Sequence, residues 1–385
     1  MATRVDLTDV PVVDNHCHSV QLEQQQRDVG AWRALFTESP DTRMRTTDVA
    51  DTVFYRRLVR ELAGLFEVEP TEEAVLQARA QHDAPALTST LWRDALVGGL
   101  VVDTGFPDPA GALSPQQLGE AAGCCAVALL RLELAFQELV AQHDTLDGVR
   151  EAVRAHLSDA RRKGWSGFKS IVAYRTGLEV ATWSRVDVEH SFALARREVE
   201  LTGAVRLGHK PLLDTLLHVA FTVAAAEGLP VQFHVGYGDP DADLRHADPL
   251  QLRAVLEQCA YRDMPVVLLH GCWPFVREGA YLAGVYGNAH LDLSYGIPFL
   301  SRQEMRSMTR AALGAAPTSK LMYSSDGARV PDLHWLGAHD GRRLVGEVLG
   351  ELVDDGDLGA GQARRAGEQV LRDNAVALYG MTGVP

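Results

Sequence analysis

The chain is poor in cysteine. Five occur in 385 residues, at positions 17, 124, 125, 259 and 272. The odd count and uneven spacing argue against a disulfide framework and for a reducing compartment, so a cytoplasmic protein is expected. Cys124 and Cys125 are neighbours on an apolar segment and read as packing. Long apolar runs are also missing. None approaches the roughly 18 residues of a membrane helix, and residues 1–9 lack the apolar core of a signal peptide. Positive charge is in deficit: the formal net charge is -14. That counts against a nucleic-acid partner, because phosphate affinity needs surplus Lys and Arg, and it favours solubility. No GxGxxG or Walker pattern occurs, so a bound nucleotide has no motif to hold it. There is no internal repeat. Residues 354–361 form a short acidic, glycine-rich loop rather than a domain linker.

What is present is an ordinary globular balance, 46% hydrophobic and 23% charged, in a chain long enough for one large domain or several smaller ones. Eight short apolar segments read as strands: 10–15, 99–103, 125–132, 167–173, 230–234, 265–270, 289–294 and 320–326. Helical spacing separates them over 132–139, 146–163, 186–201, 211–227, 248–261, 274–286 and 301–313. Two closing helices are expected over 331–349 and 362–379. Strands alternating with helices imply an α/β fold with a parallel sheet. Eight such units imply a (β/α)8 TIM-type barrel, with an open doubly wound sheet as the alternative. The reading is one domain over 1–385, with a helical insertion at about 19–97 after the first strand. Helices are expected in it at 21–35, 47–66 and 71–81. An insertion of this length caps something or contacts a partner, and a homodimer is the expected assembly. Arg56, Arg57, Arg60 and Arg93 lie in it and read as solvated faces.

The first strand ends in His16-Cys17-His18. Side chains alternate along a strand, so the two imidazoles share one side and Cys17 takes the other. Paired neutral imidazoles suit a transition metal, although His-x-His alone is a weak motif. In a barrel the active site lies at the carboxyl ends of the strands. The polar residues there are His16, His18, Asp103, Arg131, Glu133, Lys169, His234, His270, Asp292 and Asp326. Any one of them reads equally well as a satisfied core group. Their joint recurrence at strand ends points to metal chemistry with a small-molecule substrate.

The set His16-x-His18, Lys169, His234, His270 and Asp326 resembles the amidohydrolase superfamily of metal-dependent barrels. Residues 167–178, 270–278 and 325–327 (GFKSIVAYRTGL, HGCWPFVRE and SDG) are similar to the amidohydrolase-related branch. That branch includes the N-terminal halves of nodulin/glutamine-synthetase-like fusion proteins and is related to metal-dependent decarboxylases. The resemblance implies that His16, His18 and His234 with Asp326 hold one divalent ion, Zn2+ in the first place and Mn2+ or Fe2+ if waters complete the shell. It implies Asp326 as the general base and acid. His270 would ligate a second ion or polarise the substrate carbonyl. Lys169, if carboxylated, would bridge two ions; as an ammonium it would bind a substrate carboxylate beside a single ion, and an ion pair with Glu133 or Asp103 is the plainer reading. Tyr174, Arg175, Tyr237, Trp273 and Arg329 are candidate substrate contacts, with Asp239 and His334 on loops of the same face. The implied reaction is hydrolysis of a C–N bond in an amide or cyclic amide. Non-oxidative decarboxylation and a non-catalytic barrel are the alternatives.

Overall fold

The computed structural model describes residues 3–22 and 28–384. In chain order the elements are β1 (Val12–Cys17), α1 (Val29–Arg33), α2 (Thr42–Thr46), α3 (Val53–Phe66), α4 (Glu72–Arg79), α5 (Ala84–Asp94), β2 (Val97–Asp103), α6 (Pro115–Ala122), β3 (Cys125–Arg131), α7 (Leu132–Gln142), α8 (Leu146–Leu157), β4 (Trp165–Ser170), α9 (Arg185–Thr202) and α10 (Lys210–Glu227). They continue as β5 (Val231–Phe233), α11 (Arg253–Glu257), β6 (Val266–Leu268), α12 (Val276–Val285), β7 (Ala289–Ser294), α13 (Arg302–Leu313), β8 (Leu321–Ser324), α14 (Pro331–Asp354), α15 (Ala360–Glu368) and α16 (Asn374–Tyr379). The strands are hydrogen-bonded in the order β1 to β8 in one eight-stranded sheet. The ladders β1–β2, β3–β4, β4–β5, β5–β6 and β6–β7 are parallel. This is the strand order of a (β/α)8 barrel, the fold class expected from the alternation of apolar runs and helices. Among the described residues no helix is long and apolar enough to cross a membrane.

The chain falls into two compact units. The first holds Met1–Val127, Gly238–Pro240 and Asp292–Pro385. Its β1 and β2 are buried along their whole length; β2 is mostly apolar, as a strand covered on both faces requires, whereas β1 buries Asp14, Asn15 and His16. The helices of the insertion belong to this unit and are started by capping side chains. Thr52 accepts from the Tyr55 N–H at α3, and Thr71 accepts from the Ala74 N–H at α4. Buried ion pairs tie them to α14. Arg79 lies 2.6 Å from Asp332, and Arg57 lies 3.2 Å from Asp340, which also receives Arg302 at 2.6 Å. Arg57 is therefore not on a solvated face as its sequence neighbourhood suggests; it is 4% exposed. The helix expected at 21–35 is found from Val29, and residues 23–27 lie outside the described residues. Helices α2, α5 and α6 were not anticipated.

The second unit holds Ala128–Tyr237 and Asp241–Leu291. Here α10 buries Leu212, Leu213, Leu216, Leu217, Ala220, Phe221 and Ala224, a stripe wide enough to cover a sheet face. Two expected helices are interrupted. The one at 146–163 stops at Ser158, which is extended, and Asp159, which is left-handed at φ 56°; a 3-10 turn follows over Ala160–Lys163. The one at 248–261 is reduced to α11 between two 3-10 turns, with Gln258 extended between the second turn and α11.

Candidate metal centre

In the first unit, the segment after β8 folds back onto the end of β1 through reciprocal backbone bonds. The Asp326 N–H donates to the His16 carbonyl at 3.0 Å, and the His18 N–H donates to the Gly327 carbonyl at 2.8 Å. Asp326 itself is left-handed, with φ 54°, a conformation that Asp tolerates better than most residues. Flanking bonds fix the turn: the Ser325 N–H donates to Asp14 Oδ1 at 2.9 Å, and the Gly327 N–H to Ser325 Oγ at 2.8 Å. Gly327 has no room for a side chain, because a Cβ there would stand 2.4 Å from His334 Nδ1.

This turn brings His16, His18 and Asp326 together, with one ligand atom of each within 4.8 Å of the others. His16 Nε2 is 3.3 Å and His18 Nε2 3.6 Å from the same oxygen, Asp326 Oδ1. The rings meet edge to face, with centroids 4.9 Å apart. His18 Nδ1 lies 3.4 Å from the Asp103 carbonyl oxygen. An N–H on Nδ1 fits that contact and leaves the Nε2 lone pair for a ligand, the usual arrangement of a metal histidine. Two buried imidazole nitrogens converging on one carboxylate oxygen make a donor set that fits a divalent transition ion. Cys17 faces away, its Sγ 3.7 Å from the Val101 carbonyl, and burial pushes its thiol pKa well up.

Buried polar groups support the trio. The Asn15 amide donates to Asp292 Oδ2 at 2.9 Å, and Ser294 Oγ donates to Asp292 Oδ1 at 2.8 Å. Asp292, read from sequence as a strand-end group, thus anchors Asn15, the residue before His16. Burial drives the Asp14 carboxyl up to about 8. His334 has its Nε2 3.2 Å from the His18 carbonyl and its Nδ1 3.3 Å from the Val330 carbonyl. Burial lowers its pKa to about 4, so the ring is neutral near pH 7 and donates to one of the two at a time.

One residue the sequence did not single out lies within electrostatic reach of Asp326. Glu38, between α1 and α2, interacts electrostatically with Asp326, Asp239 and Arg329. Its side chain reaches solvent, yet desolvation by the surrounding protein, then repulsion from Asp326 and Asp239, raises its pKa to about 7. No motif surrounds it, so only the folded insertion reveals it. Arg329 is half-buried, with its guanidinium 4.8 Å above the Phe106 ring, and that ring stands edge-on to His18 at 5.4 Å.

In the second unit, His234 and His270 follow β5 and β6, both buried. His270 Nε2 is 2.9 Å from His234 Nδ1, and His234 Nε2 is 2.6 Å from the Tyr237 carbonyl oxygen. The second contact takes an N–H on Nε2 and leaves Nδ1 as the lone-pair nitrogen of His234. Tyr174 packs on His234 at 4.2 Å and Tyr237 stands against His270 at 5.3 Å. His270, Gly271 and Cys272 are all left-handed before Trp273, a turn that aims His270 back over the strand end. Lys169 is the penultimate residue of β4 and 2% exposed. Beside it Ser170 Oγ donates to Glu133 Oε1 at 2.6 Å, and burial raises the Glu133 pKa. Arg175 is half-buried, and desolvation lowers its pKa, with Arg206 adding repulsion.

A family model described as Amidohydrolase matches residues 170–381 of the chain. The protein fluG of Emericella nidulans is 34% identical over 227 residues, which is 57% of this chain and 26% of fluG. The chain therefore spans about a quarter of that relative's length. A solved structure described as a metal-dependent hydrolase from Lactobacillus casei superposes with a TM-score of 0.87 at 25% identity, covering 98% of each chain. A uronate isomerase from Thermotoga maritima superposes with a TM-score of 0.70 at 15% identity, over 97% of this chain and 95% of its own; that likeness is one of fold.

Proposed function

The chain belongs to the amidohydrolase family, and from that premise we propose that it is a metal-dependent hydrolase that cleaves a C–N bond of a small amide or cyclic amide. The observation that carries the reading is the approach of His16 Nε2 and His18 Nε2 to one oxygen of Asp326. A divalent ion bound by these residues supplies Lewis acidity and brings the pKa of water toward neutrality. Zn2+ suits the nitrogen-rich set best, with Mn2+ and Fe2+ as substitutes.

The chain's own groups do the rest. The Asp103 carbonyl holds His18 in the tautomer that presents Nε2. Asp326 takes a proton on its carboxylate and returns it to the leaving nitrogen. The left-handed turn places that carboxylate beside both imidazoles. The superfamily pattern adds His234 as a third nitrogen, His270 as a ligand or carbonyl-polarising group, and Lys169 as the residue that sets the metal count. A carboxylated Lys169 goes with two ions, and an ammonium with one. Arg175, Tyr174, Tyr237, Trp273 and Arg329 are proposed as substrate contacts.

The test combines metal analysis with one variant. Protein purified without chelator should carry one or two equivalents of metal. Chelation should abolish release of amine from a panel of amides and cyclic amides, and Zn2+ or Mn2+ should restore it. Asp326→Asn should lower turnover by about 10³-fold with the fold intact. Full activity in metal-free protein would overturn the proposal. Release of CO2 in place of an amine would move the enzyme to the decarboxylase class.

A further inference from the structure

The second unit carries a cavity that takes no part in the chemistry proposed above. Its volume is ≈ 430 Å³, within the usual range of small-ligand sites. Its walls come from α8 (Arg150, Arg154), from the segment leading into α9 (Trp183, Arg185), from α10 (His218) and from the turn at Tyr261. None of the strand-end groups Lys169, His234 and His270 lines it, nor does Arg175.

The aromatic walls have their polar groups engaged within the protein. The Trp183 Nε1–H donates to Asp214 Oδ2 at 2.8 Å. The same oxygen, on a fully buried side chain, accepts from the Ala181 N–H at 3.0 Å and pairs with Lys210 Nζ at 3.0 Å. Tyr261 Oη lies 2.8 Å from His218 Nδ1, and His218 Nε2 lies 3.2 Å from the Ala181 carbonyl oxygen. A neutral imidazole with its proton on Nε2 donates to that carbonyl and accepts the tyrosine O–H, so both nitrogens are satisfied. The His218 and Tyr261 rings are stacked, with 26° between their planes and centroids 5.9 Å apart. What these side chains offer the cavity is ring surface, and Trp183 is 36% exposed.

The charged walls are all of one sign. Arg150, Arg154 and Arg185 line the cavity, and among the described residues that line it none is acidic. Arg154 has Glu151 at 2.6 Å and Arg185 has Asp147 at 2.9 Å, exposed pairs that hold a guanidinium weakly. Arg150 is the least engaged. Its ion pair with Asp147 is 3.6 Å long, beyond hydrogen-bond distance. Its Nε is buried and has no hydrogen-bond partner among the described residues. A stranded buried donor costs stability that an anionic ligand would return.

We propose that this cavity binds an aromatic anion, a flat ring carrying a carboxylate or a phosphate, with the ring on Trp183 and the His218–Tyr261 pair and the anion on Arg150. The site stands independently of the hydrolase reading, because it uses none of the residues of that reading. A guanidinium fork matches either anion. An uncharged ring would leave the Arg150 donor stranded, and a bare anion would leave the ring surfaces in water.

The test is calorimetry on the full chain with 1-naphthoate, 1-naphthyl phosphate, 1-naphthalenemethanol, acetate and inorganic phosphate. At least one of the two ring anions should bind at least about tenfold more tightly than both the uncharged alcohol and its own bare anion. The tighter of the two tells carboxylate from phosphate. Arg150→Gln should remove most of the preference over the alcohol, and Trp183→Leu should weaken the ring anions by about fivefold. In the unmodified protein the tighter ligand should slow amide exchange over 181–188, which answers the question even if a variant misfolds. Ring anions that bind no better than the alcohol or the bare anions overturn the inference. So does a preference that survives Arg150→Gln but is lost in Arg175→Met, or a bound ligand that leaves exchange over 181–188 unchanged, since either would put the ligand elsewhere.

Discussion

Replacing Arg79 by Met should loosen the insertion measurably. Arg79 ends α4, and its guanidinium lies 2.6 Å from Asp332 with side-chain exposures of 2% and 0%. Removing the cation leaves a sealed carboxylate, a change that costs about 3–5 kcal/mol in buried pairs. Asp332 lies in the first turn of α14, where the helix dipole offsets part of the stranded charge. Loss of the guanidinium from its place 5.6 Å from the Trp32 ring works the other way. The expected net cost is about 3 kcal/mol, at the lower end of that range. For a chain of this size that is a fall in melting temperature of about 4 °C. Calorimetry should show it. Exchange of amide hydrogens should rise not only in α4 but also over 34–41, because Glu72 of α4 holds Arg33 of α1 at 2.6 Å, and α1 leads into Glu38. The double replacement Arg79→Met with Asp332→Leu should recover much of the loss. A single variant that melts within about 1 °C of the parent, or a double variant no better than the single, would refute this account of what fastens the insertion.

Two further outcomes are expected. Burial raises the Glu133 pKa, so the folded chain keeps this proton at pH values where the unfolded chain has released it. The stability from Glu133 is present in full below about pH 4 and is lost as pH rises through the raised value. Denaturant titrations should therefore show the parent losing stability relative to Glu133→Gln as pH increases, and parallel pH profiles would contradict the assignment. Thiol labelling should follow exposure: Cys259 is exposed, Cys17 and Cys272 are buried, and burial pushes Cys124 up to about 12. Iodoacetamide under native conditions should modify Cys259 well before Cys17, as peptide mapping would show; equal rates would mean that the end of β1 opens readily.

Most strands were legible because they are short, largely apolar segments that end in a polar residue, a pattern that burial in a parallel sheet favours, although β3 is only half-buried over most of its length. His16 and His18 were legible for the same reason, standing at the end of β1 one residue apart. What stayed hidden depends on partners distant in sequence. Arg57 looks like part of a solvated basic face until Asp340 and Arg302 are packed beside it. Helix α5 begins Ala84-Pro85-Ala86 and carries few sequence signals beyond its Asp83 cap. Glu38 sits in a connection without periodicity, and its importance comes from Arg329, Asp239 and Asp326, which no local window contains. The breaks at Ser158 and Gln258 are backbone decisions that helical spacing of apolar residues cannot register.

The crosswise bonds between His16, His18, Asp326 and Gly327 also bear on how the protein is born. Both imidazoles leave the ribosome long before Asp326, the carboxylate that completes their set. Through most of synthesis the two histidines are a bidentate fragment with no fixed partner, and the turn that positions the acid does not yet exist. Assembly of the centre is therefore a late event, one that waits on the turn after β8.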